Sequence, residues 1–513
     1  MSETSDARIS PQNASSAPSE TRLSGDLGTV SLVLSVLAFS APIVTVSGYI
    51  AFAIGFVGPS APLAWFVATA VLLIFAVGYT TMTRHIHRPG AFYAYISMGL
   101  GRIFGVGGAY LASVSYILLT VGIYTFSGVT IASAVERFGG PSVPWWLCTA
   151  VGWVIITVLG HFQIELSAKV LGTVMVLEVI LVAIFNAFTL AKGGLHGLSI
   201  QPLNPAAFIG PGVGLALLFA FSNFIGFEAT ALYRDEVRTP SKTIPRATYL
   251  AVILIGVFYA ISAYSLVIAY GTDDVEGRAG SDPTTMFSDA MAQYVSSSLT
   301  TATLVLVSTS ALASVLSTHN VVARYLQNLG ADRALPSVLA TVHPTHKSPY
   351  RASLACSVIV GGLLILAAVT VSDPTLVIGA GSGIGTAGIL IMMALVSVAV
   401  YRYFARTGRP AGETGWRVTI APILASVCLT IVVVFAIVRF DLLVGGEPGQ
   451  NLWMLLVLLA FLAAGAGVAY YMKQNQPDLY QRLGRAEGDD VASDPTGEAQ
   501  AEAAAGRQFP TPS

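Results

Sequence analysis

The chain has 513 residues, 54% of them hydrophobic and only 10% charged, with a mean hydropathy of +0.72. Soluble domains carry about 25% charged residues, so this chain is unable to cover several soluble domains and most of its exterior must meet lipid. The 26 Lys and Arg nearly balance 27 Asp and Glu, which leaves no basic field for gripping a nucleic-acid backbone.

Residues 1–28 are rich in Ser and Ala without periodicity and are expected to be a disordered tail, as is the acidic segment 474–513. The sequon Asn13-Ala14-Ser15 lies in the first tail, which is expected in the cytoplasm, so it carries no glycan. The first apolar run starts too late and is too long for a signal-peptide core, and no cleavage is expected.

Stretches able to cross about 30 Å of hydrocarbon number twelve. They lie near 29–56, 61–82, 103–135, 144–161, 166–190 and 211–233, with six more beginning near 248, 298, 350, 374, 417 and 451. With both termini inside, Arg137, Lys192, Arg278 and Arg439 fall outside and the other 22 of the 26 basic residues fall in the cytoplasm. A misplaced span would scramble that alternation, so the positive-inside rule supports twelve spans with cytoplasmic termini.

Two stretches are interrupted at mid-membrane depth. In the first, Ser40-Ala41-Pro42-Ile43-Val44-Thr45-Val46-Ser47-Gly48 breaks an apolar helix, because Pro42 supplies no backbone donor. Backbone freed at that depth is tolerated when buried in protein or lining a cavity, and half-helix ends present partial charges to ligands. A plain proline kink is the alternative for that break taken alone. The sixth stretch, five spans later, runs Phe221-Ser222-Asn223-Phe224-Ile225-Gly226-Phe227-Glu228. Paired interruptions at corresponding positions of two five-helix halves point to a secondary transporter with inverted repeats, near 29–190 and 211–405, and a midplane site. The binding candidates are Ala41, Pro42, Ile43, Val44 and Thr45 from the first break, and Phe221, Ser222, Asn223, Phe224, Ile225 and Gly226 from the second. Half-helix amides suit an anionic group and freed carbonyls an ammonium, so a zwitterion needs no dedicated charged side chain.

Two carboxyls stand inside the apolar stretches. Glu178 lies near the centre of the fifth among Val176, Leu177, Val179 and Ile180, where it is either a proton carrier or a structural acceptor bonded to the first or eighth span. Glu228 follows the second break and either senses protonation or fixes the loop by accepting backbone hydrogen bonds. Cys148, Cys356 and Cys428 sit in apolar runs far from any metal or disulfide spacing and read as packing residues. Gly383-Ile384-Gly385-Thr386-Ala387-Gly388 fits a dinucleotide fingerprint but lies inside an apolar stretch, where close helix packing explains it. His85 and His87 read as solvated loop residues, and His319 as a packing residue. No sequence points to a cofactor or a metal.

Three blocks resemble the amino acid-polyamine-organocation transporter superfamily over roughly residues 29–473. They are Gly226-Phe227-Glu228 with Asp235-Glu236-Val237-Arg238-Thr239-Pro240 and Thr243-Ile244-Pro245-Arg246-Ala247, then Arg88-Pro89-Gly90-Ala91-Phe92-Tyr93-Ala94-Tyr95, and His319-Asn320-Val321-Val322-Ala323-Arg324-Tyr325-Leu326. The resemblance implies an all-α membrane fold of five plus five inverted-repeat helices, broken at the first and sixth, with two appended helices. It implies an amino acid or related amine as cargo, transport rather than catalysis, and a multi-pass location in the plasma membrane. Relatives carry a Gly-Ser-Gly-like triplet at the first break, whereas this chain has Ser40-Ala41-Pro42 before it and Gly48 after it. Proton-coupled relatives have a lysine nine residues after a Ser-Ala-basic sequence. Here Ser167-Ala168-Lys169 leads to Glu178, so an acid replaces that lysine.

Phe221, Ser222, Phe224 and Ile225 are candidates for the pocket wall and extracellular gate; by the same resemblance Tyr116 faces them, and the eighth-span hydroxyls Thr309, Ser310 and Ser314 are the sodium-site candidates. Proton coupling through Glu178 and Glu228 is the preferred expectation. A polyamine or organic-cation carrier and a transporter-like nutrient sensor remain open. A membrane-embedded enzyme would use the outer acids Asp273, Asp274, Glu276 and Asp282, which read instead as solvated turn residues.

Overall fold

The computed structural model describes residues 28–85, 91–161, 168–228, 237, 239–343, 348–445 and 447–483. Most of both expected tails, His87 and part of each resemblance block before the third and seventh stretches lie outside the described residues. Where the second tail is expected to begin, residues 474–483 instead finish one helix and form another, Pro477–Arg482, anchored by Arg102 donating to the Leu483 carbonyl at 3.3 Å.

The described chain is helical, and ten helices are long and apolar enough to cross a membrane. Numbered by the stretches they occupy, the first is Thr29–Ser40 followed by Pro42–Ser60, the second Pro62–His85 and the third Arg102–Arg137. The fourth, Trp145–His161, and the sixth, Val213–Ser222, are shorter apolar helices, and the fifth is Ala168–Lys192. Then follow Pro240–Tyr270, Ser297–Ala331, Tyr350–Thr370, Pro374–Thr407, Trp416–Val438 and Trp453–Asn475 as the seventh to twelfth. The protein is a polytopic membrane protein.

The third helix is the central column, and the tenth lies directly on it because its glycines admit backbone contact. A Cβ at Gly381 would stand 2.8 Å from the Leu118 carbonyl, and one at Gly385 2.6 Å from that of Ser115. This close packing accounts for the glycine motif of the tenth helix. Lipid-facing residues such as Val358, Ile365, Val434 and Leu456 are exposed, as an apolar solvent allows.

Three polar readings gain neighbours. His319 is buried between Ser353, at 2.9 Å from its Nε2, and Cys356. His85 requires a correction. It is packed edge-on against Phe404 and lies 3.5 Å from Glu413, which also holds Arg84 at 3.3 Å and Arg417 at 3.2 Å. Glu413, its side chain 7% exposed, draws the end of the second helix to the start of the eleventh, an arrangement between residues more than 300 positions apart. Among the outer acids, Asp282 accepts from Thr285 at 2.7 Å and so turns the chain between Val275–Ser281 and Met286–Tyr294.

Candidate functional site

At the first break Ala41 takes a left-handed conformation, φ 45°, and Pro42 restarts the helix. Two hydroxyls meet the freed Ser40 carbonyl, that of Thr45 at 3.0 Å and that of Tyr259, from the seventh helix, at 3.3 Å. The Tyr259 hydroxyl also lies 2.9 Å from Ser40 Oγ. The first regular bond of the restarted helix is Thr45 N–H to the Ala41 carbonyl, so the Ile43 amide has no partner within the helix. Glu178 of the fifth helix supplies one, its Oε2 3.4 Å from Ile43 N, and the buried Ser310 of the eighth stands beside the same carboxyl. Glu178, 3% exposed, therefore ties the fifth, first and eighth helices together at the break.

The sixth helix ends at Ser222 and continues as tight turns, in which Asn223, Phe224, Ile225 and Phe227 each donate three residues back. Gly226 has φ 109°, a conformation open to glycine at little cost. Trp65 Nε1 donates to Asn223 Oδ1 at 3.1 Å and holds the turn from the second helix. Glu228 is buried, accepts from its own turn at Gly226 N, 2.9 Å, and from the Tyr116 hydroxyl, 2.8 Å, while Tyr79 donates to its backbone carbonyl at 2.7 Å.

Both breaks open on one cavity of about 40 Å³. From the first helix it takes Ser40, Ala41, Val44, Thr45 and Tyr49, and from the sixth Ser222, Asn223 and Ile225. Leu119 and Ile123 of the third helix and Ser314 and Thr318 of the eighth complete it. No lining side chain is ionised, so the polarity on offer is hydroxyl, amide and the dipoles of interrupted backbone. On one side Tyr49, Phe52 and Phe56 gather on Phe219, with Phe52 stacked at 5.4 Å between ring centroids, and form an aromatic wall.

A sequence profile described as amino acid permease matches residues 27–463. The chain belongs to the amino acid permease family. Its members are transporters of amino acids and amines rather than enzymes, and the permease shares sequence with several curated proteins. An uncharacterized transporter of Mycobacterium tuberculosis is 26% identical over 351 residues, 67% of this chain and 72% of the relative. A low-affinity putrescine importer of Escherichia coli is 22% identical over 364 residues, 70% of this chain and 77% of the relative. A branched-chain amino acid permease of Bacillus subtilis is 25% identical over 313 residues, covering 58% and 65%.

Of the residues singled out from the permease sequence, Ala41, Val44, Thr45, Ser222, Asn223 and Ile225 line the cavity together. Pro42 and Ile43 lie beside it, and the Ile43 amide serves Glu178. Phe221 and Phe224 are packed in the core, Gly226 shapes the turn, and Tyr116 is spent on Glu228 while stacking on Tyr325. Among the sodium-site candidates, Ser314 lines the cavity and Ser310 stands at Glu178. Thr309 is exposed and bonded to the carbonyls of Val305 and Leu306. Sequence reasoning passed over Tyr49, Leu119, Ile123 and Phe219. Tyr49 follows Gly48 directly and was within reach of the break, but the two third-helix aliphatics carry no local mark that separates them from their neighbours.

Proposed function

We propose that this permease carries a small amino acid or related amine across the plasma membrane by alternating access, with the cargo held between the two helix breaks and movement coupled to protons through Glu178. In this reading helices one to five (29–190) and six to ten (211–405) are inverted repeats, the last two helices are appended, residues 29–473 form one transport domain, and both termini are cytoplasmic. The carrying observation is that two breaks, about 180 residues apart in sequence, face the same small cavity. An interruption of membrane helices costs backbone hydrogen bonds, and convergence of two on one polar space gives that cost a use. The cavity is far smaller than the roughly 300 Å³ at which ligand pockets begin, which fits a closed state. Glu228, satisfied by Tyr116 and Gly226, serves mainly to hold the second break in shape.

A second reading, a carrier of polyamines or other cations, draws on one observation. A carboxylate of the protein already stands at the Ile43 amide, so the first break offers a negative group to an amine and less vacant positive potential to a carboxylate. The putrescine importer among the relatives accords with it. Uptake by proteoliposomes of a labelled amino-acid and polyamine mixture, under a proton gradient, a sodium gradient or neither, tests both readings. Proton-dependent accumulation of an amino acid supports the first and accumulation of polyamine alone the second. A sodium requirement removes the coupling role of Glu178, and binding without uptake favours a sensor.

A further inference from the structure

Eleven buried side-chain polar atoms lack a hydrogen-bond partner among the described residues, and those of Ser47, Asn186, Thr189 and Ser265 stand at successive heights on three helices that meet near the first break. Asn186 Nδ2 donates to Ser262 Oγ at 3.0 Å, and further on Leu195 N donates to the Ile268 carbonyl at 3.0 Å. Both sequence numbers rise together, so the fifth and seventh helices run parallel with residue 186 level with 262. One turn on, Thr189 is therefore level with Ser265. In the fifth helix Glu178, Asn186 and Thr189 share one stripe, the last two about 12 and 16 Å along the axis from the carboxyl. Ser47 lies one turn beyond Ile43, whose amide meets Glu178, and so falls at the height between Glu178 and Asn186.

These four residues are at most 6% exposed. Hydroxyls in membrane helices ordinarily bond the carbonyl four residues back, as Thr80, Ser113 and Thr125 do here. Ser47, Thr189 and Ser265 forgo that bond, and unpaired polar atoms are costlier in lipid than in water. Their uncharged oxygens would leave a metal cation uncompensated, whereas water both donates and accepts and needs two to four such partners.

We propose that a file of buried water molecules between the first, fifth and seventh helices links Glu178 to the end of the fifth helix at Lys192, giving its carboxyl a proton route separate from the substrate cavity. This rests on the reading of Glu178 as the coupling group. Around that carboxyl stand the Ile43 amide, the Ser310 hydroxyl and, as the titratable neighbour, Tyr259 of the seventh helix. At the far end Lys192 donates to the Tyr294 carbonyl at 2.6 Å, and Asp289 of the capping helix is held by Arg278 at 2.7 Å and faces Arg137 at 3.8 Å. Along the file each member accepts one proton and releases another, so the net change is one proton moved from the outer solution to a Glu178 oxygen.

The test uses the full chain in lipid nanodiscs transferred to heavy water, with the Glu178 carboxyl band identified in infrared spectra by its loss in Glu178→Gln. In Thr189→Val with Ser265→Ala, hydrogen–deuterium exchange of that band should slow at least tenfold. The midpoint of thermal unfolding should fall, because the waters lose partners. An unchanged exchange rate overturns the file, and so does a raised midpoint, since apolar replacements relieve unpaired groups in a dry interface. Each single substitution, with Thr189→Ser as the conservative control, guards against a misfolded double variant. If Glu178→Gln abolishes proton-driven uptake while exchange in the double variant is unchanged, the file alone fails. If Glu178→Gln accumulates substrate like the unaltered protein, the coupling role fails and the inference with it.

Discussion

Replacing Glu178 by Gln separates the two tasks we propose for the carboxyl at the first break, holding the Ile43 amide and carrying the coupling proton. The amide oxygen of Gln can still accept from Ile43 N–H, a contact of 3.4 Å that is long for a hydrogen bond, and its other atom can still meet Ser310. A net loss below about 1 kcal/mol of stability is therefore expected, since ordinary hydrogen bonds contribute about that much. The coupling loss is total, because Gln exchanges no proton. Each pH unit corresponds to about 1.4 kcal/mol per proton, or tenfold, so a gradient of about two units drives at most ~100-fold accumulation when one proton accompanies each substrate. Proteoliposomes containing Glu178→Gln should equilibrate substrate without accumulating it, while exchange of labelled for unlabelled substrate should stay within about threefold of the unaltered rate. Accumulation of tenfold or more by this variant would refute the assignment. Loss of exchange together with accumulation would show instead that the carboxyl builds the site rather than couples it.

Three further outcomes follow from the geometry. Ser222→Leu puts a branched side chain into a cavity of about 40 Å³, so competition assays should lose larger ligands first; an unchanged inhibition profile would place Ser222 outside the path. Asn223→Ala leaves the buried Trp65 indole N–H unpaired, which should cost about 1–3 kcal/mol and appear as a lowered unfolding midpoint in detergent, with weaker substrate binding. Gly48→Ala would set a methyl 2.8 Å from Phe126 Cε2, so the ring beside the cavity must move; transport should fall several-fold while expression and the oligomer profile on gel filtration hold.

The membrane helices were legible along the chain because lipid imposes a one-dimensional rule. Any segment crossing about 30 Å of hydrocarbon must be apolar and satisfy its backbone internally, so length and hydropathy mark the helices, and a proline or a polar cluster marks a break. Pro42 and the Ser222–Glu228 cluster could be located on those grounds, and six residues beside them do reach the cavity. Rotation of a helix about its axis is another matter. When nearly every face is apolar, periodicity does not say which side meets protein, so Leu119 and Ile123 look like any other aliphatics of the third helix, and Thr309 like Ser310.

The sequence alone therefore determined a chain built into a membrane, helices placed by their apolar length, two of them interrupted, and two carboxyls too costly to stand there idle. Only tertiary packing decided that Glu178 meets the Ile43 amide, 135 positions away, that Glu228 takes the hydroxyl of Tyr116, and that Tyr116 is consequently withdrawn from the cavity. The reason is physical. Hydropathy sums over a segment and survives without neighbours, whereas a hydrogen bond is decided by a distance of a few tenths of an ångström between atoms that the fold alone brings together.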